Sequence, residues 1–362
     1  MSDSLESLIN TWIRPEIQAI SSYHVPESAH LIKLDAMENP YVWEAEMQTA
    51  WLERLRGVTV NRYPDPGARA VKSALRPLMQ VPENSGLILG NGSDELIQML
   101  TLALALEGGK ALLLAPEPSF VMYKMLAQVC GMKYLGVPLQ AHDFTLNIEA
   151  MLSAIKTHQP ALIFLAYPNN PTGNLFERSA VERIISAAPG LVVVDEAYCA
   201  FAEDTFMPAL EQYPNLLVMR TLSKIGLAGL RLGLLAGHPA WLAQLEKTRL
   251  PYNINSLSQA SVIFALEHYE QFLAQSAQIR SARSLVFRYL QDLPAVQAWH
   301  SQANFILFRV LDAPKTFAAI KAQGVLIKNL HGSHPLLDQC LRVTVGKPEE
   351  NRAFLDALRH AL

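Results

Sequence analysis

Leu191-Val-Val-Val-Asp195, running on into Glu196-Ala-Tyr198, is the stretch on which the fold turns. A short apolar run rich in valine that closes on a carboxylate reads as a buried strand ending at a polar edge. An isolated buried carboxylate is costly, so Asp195 needs a cationic partner at that edge. Working outward, residues 161–167 and 216–220 repeat the apolar run on either side, and 86–89 and 111–115 repeat it upstream. Residues 146–157 and 177–187 carry helical spacing, and a further helix-like stretch begins at Asp94. This alternation predicts an α/β chain whose larger domain is doubly wound around a mainly parallel sheet. The rhythm changes near Pro251-Tyr-Asn-Ile-Asn-Ser256. A long helical stretch follows to about Leu290, then strands at 303–310, 325–327 and 340–345, with helices at 314–323 and 347–362. We therefore expect an N-terminal arm over 1–35 packing with the small domain, a large domain over 36–252 and a smaller α+β domain over 253–362.

The chain has 362 residues, half of them apolar and 17% charged, enough for large buried cores and far from a disordered composition. A formal charge of −3 leaves no basic footprint for nucleic acid. The apolar runs fall well short of the roughly 18 residues that span a bilayer, so no membrane association is expected. Nothing at the start resembles a basic segment leading into an apolar one, and a cytoplasmic location is expected. Cys130, Cys199 and Cys340 are widely spaced and form no CxxC, which fits reduced thiols. The ten histidines show neither HExxH nor a Cys/His cluster, so no metal site is expected.

Four stretches carry candidate chemistry. In Arg220-Thr-Leu-Ser-Lys-Ile-Gly-Leu-Ala-Gly-Leu-Arg-Leu-Gly233, Lys224 stands past a strand end among apolar neighbours. Desolvation, or the nearby cation Arg231, would depress its pKa and make it a usable nucleophile. A phosphate-gripping lysine or a plain surface lysine fits this stretch equally well. Tyr167-Pro-Asn-Asn-Pro-Thr-Gly173 is a rigid turn after a strand, at the edge where open α/β sheets bind ligands, with Asn170 as a neutral donor. Gly90-Asn-Gly-Ser-Asp-Glu-Leu-Ile97 opens a helix whose free N–H groups and dipole suit a phosphate, through Ser93 and Asp94. Ser223 and Arg231 can add charge-assisted donors. In Pro116-Glu-Pro-Ser-Phe-Val-Met-Tyr123, Phe120 follows a strand end and can lie flat on an aromatic ligand, though most phenylalanines are simply core.

Taken in order, these pieces resemble the fold-type I pyridoxal-phosphate aminotransferases, and within them the histidinol-phosphate aminotransferase family. Asp35-Ala-Met-Glu-Asn-Pro-Tyr41, Arg62-Tyr-Pro-Asp65 and Leu341-Arg-Val-Thr-Val-Gly346 extend the resemblance from about Arg14 to Arg352. It implies pyridoxal 5′-phosphate as cofactor, bound covalently through Lys224. Asp195 would pair with the ring nitrogen, Tyr198 and Asn170 would contact the ring oxygen, and Phe120 would stack. Ser93, Asp94, Ser223 and Arg231 would hold the phosphate. Tyr63 would reach the phosphate of a neighbouring subunit, which makes a homodimer the expected assembly. Arg342 would bind the substrate carboxylate and the substrate phosphate, and Tyr23 and Asn39 would contact substrate from the arm and early loop. Two departures stand out. Arg231 follows Lys224 by seven residues where many members have eight. Lys328 stands where many members place a second arginine, and lysine lacks the bidentate grip.

The resemblance implies ping-pong transamination of L-histidinol phosphate with 2-oxoglutarate, releasing glutamate, with Lys224 moving the proton. An aromatic amino-acid aminotransferase, and more distantly a threonine-phosphate decarboxylase, would share every cofactor residue. A non-catalytic sensor would need a fused DNA-binding segment, and none is visible. A dehydrogenase is disfavoured because no GxGxxG follows an early strand.

Overall fold

A computed structural model describes residues 5–22, 27–105 and 110–362. Helices Leu5–Trp12 and Pro15–Gln18 lead to a two-residue strand, β1 (Ile32–Lys33). A seven-stranded sheet follows, built from β2 (Gly86–Asn91), β3 (Leu112–Glu117), β4 (Lys133–Pro138), β5 (Leu162–Ala166), β6 (Leu191–Asp195), β7 (Leu216–Thr221) and β8 (Leu232–Gly237). Its order is β2-β8-β7-β6-β5-β3-β4. Every pair is parallel except those that β8 makes with β2 and β7. The residues of β5, β6 and β7 are all buried, as strands covered on both faces must be, and this is why their sequences run apolar without alternation. The chain leaves β3 toward β4 and returns to β5 on its other side, so the order reverses between β3 and β5. A crevice opens there, beyond the carboxyl ends of the strands.

Beyond helix Ser256–Glu267 and helix Tyr269–Gln291 lies an antiparallel sheet of β9 (Gln297–Ala298), β10 (Phe305–Arg309), β12 (Lys328–Asn329) and β13 (Cys340–Thr344). The predicted single helical stretch to about Leu290 is interrupted at His268, whose φ of −111° and ψ of 24° are not helical. Strand β11 (Val325–Leu326) pairs not with that sheet but in parallel with β1. Leu34, Ile306, Phe308, Leu341, Val343 and Phe354 share one apolar cluster there. The early segment thus touches both halves. Arg14 donates to the carbonyl of Val129 at 2.6 Å, on helix Val121–Cys130, while β1 holds β11. Residues 35–39 then cross between the two sheets.

Among the described residues no helix is long and apolar enough to cross a membrane, and no group of three or more His, Cys, Asp or Glu side chains converges to hold a metal.

Candidate active site

The carboxyl ends of β3, β5, β6 and β7 meet residues 36–38 around a cavity of about 220 Å³. Asp195 closes β6 and is 4% exposed. Its Oδ2 accepts from the Tyr123 hydroxyl at 2.6 Å, and its Oδ1 accepts from the Ala197 amide at 3.1 Å. Burial pushes its pKa up to about 6, and these two donors resist that shift. Tyr123 is the functional neighbour that sequence reasoning passed over. It lies three residues after Phe120, one helical turn on the same face, and that spacing was the available signal.

Lys224 follows β7 in a short 3₁₀ turn, Ser223–Ile225. Its Nζ donates to the carbonyl of Ala36 at 3.3 Å and stands 5.8 Å from the centre of the Tyr198 ring. Burial, then the charge of Arg342, lowers its pKa to about 8. Near neutral pH such an amine reaches its neutral, nucleophilic form far more readily than an exposed lysine. Asn170 links two further groups. Its Nδ2 donates to the Tyr198 hydroxyl at 3.2 Å, and its Oδ1 accepts from Arg342 at 2.5 Å. Arg342 also donates to the carbonyl of Asp35 at 3.0 Å.

At the other end of the cavity, helix Ser93–Leu104 begins at Gly92 without a side-chain cap. Ser93, Asp94, Thr221, Ser223 and Arg231 all line this end. Thr221 donates to Ser223 at 2.9 Å. A Cβ on Gly92, which has φ +84°, would come within 2.5 Å of Arg231 Nη2, and one on Gly233 would fall 2.8 Å from the Ser93 amide nitrogen. Two glycines therefore keep open a pocket lined by a helix N-terminus, hydroxyls and a guanidinium, the donor set a phosphate ester needs. Arg231 also stands 3.4 Å from Asp94. Arg231, seven residues after Lys224, is left-handed (φ 51°) and directly precedes β8.

Phe120 lines the same cavity, edge-on to Tyr123 at 5.6 Å. The structure thus brings together Ser93, Asp94, Phe120, Asn170, Asp195, Tyr198, Ser223, Lys224 and Arg231, with Arg342 bonded to Asn170. It does not gather the rest in the same place. Asn39 spends its amide on the Ile225 carbonyl at 2.9 Å and on Gln275 at 3.0 Å, and its Oδ1 accepts from the Tyr41 amide. Tyr63 is 80% exposed and stacks on Tyr252 at 4.4 Å, outside the cavity of its own chain. Lys328 lies directly across from Arg342 in the small sheet and lines an adjoining cavity. Tyr23 lies outside the described residues.

Behind the cavity, Arg220 of β7 bridges to Glu196 just past β6 at 2.7 Å, both almost fully buried. Glu196 also accepts from Thr205 and from the Phe206 amide, and Arg220 donates to the Met79 carbonyl.

The family described as Aminotransferase class I and II matches residues 29–358. "Histidinol-phosphate aminotransferase 2" of Nitrosococcus oceani is 59% identical over 350 residues, covering 96% of each chain. A histidinol-phosphate aminotransferase of Chromobacterium violaceum is 53% identical, covering 96% of this chain and 97% of its own. Among solved structures, the histidinol-phosphate aminotransferase of Sinorhizobium meliloti in complex with pyridoxal-5′-phosphate superposes with a TM-score of 0.84. It is 24% identical and covers 97% of both chains.

Proposed function

Because the chain belongs to the class I and II aminotransferases, we propose that it transfers the amino group of L-histidinol phosphate to 2-oxoglutarate, giving imidazole-acetol phosphate and glutamate in histidine biosynthesis. The observation that carries this reading is Lys224, an amine with its pKa near 8, sharing one cavity with Asp195 and with Asn170, which Arg342 binds from the adjoining cavity.

Its cofactor is pyridoxal 5′-phosphate, and the glycine-lined donor pocket and the buried Asp195 fit that group. When bound, the cofactor supplies an electron sink conjugated with the substrate α-carbon. Ser93, Asp94, Ser223 and Arg231 would hold its phosphate, Asp195 would keep the ring nitrogen protonated, and Tyr198 and Asn170 would contact the ring oxygen. Phe120 would cover one face of the ring. Lys224 would hold the cofactor covalently through Nζ. Once freed by the substrate amine, Nζ would move the proton between the substrate α-carbon and the cofactor C4′, a task suited to a base whose pKa lies near the working pH. Arg342 and Lys328 bind the anionic end of the substrate. In this reading the enzyme is a cytoplasmic homodimer, and the exposed Tyr63 reaches the site of its neighbour.

The deciding experiment is an absorbance titration of the cofactor-loaded protein. L-histidinol phosphate should bleach the visible band of the bound cofactor, and 2-oxoglutarate should restore it. Bleaching by phenylalanine but not by histidinol phosphate would overturn the substrate assignment. The phosphate pocket has its own test. Gly92→Ala forces a side chain into a positive-φ position and against Arg231. The cofactor dissociation constant should rise about tenfold or more by equilibrium dialysis. Unchanged retention would remove Arg231 from the pocket.

A further inference from the structure

A second cavity, of about 390 Å³, adjoins the one beside Lys224 and shares Met37, Phe120 and Asn170 with it. One wall comes from the small sheet and its loop, where Arg342 and Lys328 face each other across β13 and β12. The other comes from the end of β3 and its surroundings, where Glu117 stands with Lys124 and Tyr134. Glu117 is the sole carboxylate among the described residues lining this cavity. We propose that Glu117 recognises the substrate's imidazole by accepting its ring N–H, and so selects an imidazole over a phenyl side chain.

This inference rests on the substrate reading given above. L-histidinol phosphate has three polar ends. The amine belongs beside Lys224 and the phosphate belongs with the cations Arg342 and Lys328. The imidazole remains, and its N–H needs an acceptor once it leaves water. Two of the other acceptors on the cavity wall are engaged. Asn170 Oδ1 accepts from Arg342, and His334 Nδ1 accepts from the Leu336 amide at 3.1 Å, which leaves that ring only a donor. Glu117 is held ready. A Cβ on Gly136 would meet its Cδ at 2.2 Å, so the carboxyl lies flat against β4 only because that position is glycine. Tyr134 donates to it, and Lys124 Nζ stands 3.9 Å away. An ionised carboxyl has about four acceptor directions, so these neighbours leave room for one more donor. A phenyl ring would offer none and would strip water from the carboxylate without replacing it.

The test compares L-histidinol phosphate with L-phenylalaninol phosphate in single-turnover bleaching of the cofactor-loaded enzyme. Wild type should prefer the imidazole substrate by about 10- to 100-fold in kcat/KM. Glu117→Ala should bring the two substrates to within about threefold, mainly by slowing the imidazole one. Glu117→Gln, which keeps an acceptor but loses the charge, should fall between and guards against misfolding of the smaller variant. A Glu117→Ala enzyme that keeps the wild-type ratio overturns the role of Glu117. Failure of the wild type to use either ester overturns the substrate reading beneath it, which is a different and separable result.

Discussion

Lys224→Ala, loaded with cofactor, should turn over at least about 10⁴-fold more slowly than wild type while still binding histidinol phosphate. Two contributions vanish together, the covalent anchor and the positioned base. No neighbouring group replaces them, because Tyr198 is pushed well above its ordinary pKa by burial and Asp195 is committed to Tyr123 and the Ala197 amide. Steady-state turnover with a parallel binding titration checks this, and full activity in the variant would end the assignment. The sign of the pH dependence follows from the amine. Its pKa is lowered from 10.5 to about 8, so in the cofactor-free protein the neutral form grows in as pH rises through about 8. At pH 7 this is roughly two orders of magnitude more neutral amine than an unperturbed lysine offers. Reaction of the apoprotein with an aldehyde should therefore rise with pH and level off above about 8. A rise delayed to near pH 10 would mean that burial does not tune Lys224.

Arg220→Leu should lower stability by about 3–5 kcal/mol, read as a shift in the urea unfolding midpoint. The loss comes less from the pair than from what remains. Glu196 is fully buried, and without Arg220 its charge would keep only Thr205 and the Phe206 amide as donors. Replacing Glu196 and Arg220 together with apolar residues of similar size should recover much of the loss, since well-packed apolar groups often match a buried ion pair. If the single variant unfolds at the wild-type midpoint, the pair does not bind β6 to β7. The pair also matters to the site. Glu196 directly follows Asp195, and Arg220 lies four residues before Lys224, so one buried bridge fixes the strand ends that carry both.

The strands legible in the sequence were mostly continuous apolar runs with buried interiors. In β5, β6 and β7 every residue is covered, so the apolar run declared itself. Strand β4, Lys133–Pro138, was missed because it is the sheet edge, opens on lysine and is only partly buried. Strand β8 was missed because its run Leu-Gly-Leu-Leu-Ala-Gly follows directly on the motif that drew attention, and its glycines read as loop. Helix Ala45–Arg56 buries only Met47 among its residues, too little for a clear apolar face. In the site, residues on single strand ends were found by motif, whereas the contacts of Tyr123, Asn39 and Glu117 depend on partners from 72, 186 and 17 positions away that no local pattern reveals.

The carbonyl of Asp35 and the amide of Met37 are held by Arg342 and Thr344, in each case 307 positions further along the chain. On a ribosome adding about 5–20 residues per second, the early segment waits roughly 15–60 s for these partners. Through about the last third of that interval the whole seven-stranded sheet, with Lys224 and Asp195 at its carboxyl edge, is already translated. The cofactor end of the site is thus translated well before the substrate end, and a nascent chain passes through a stage in which it carries the reactive amine without the arginine that disciplines it.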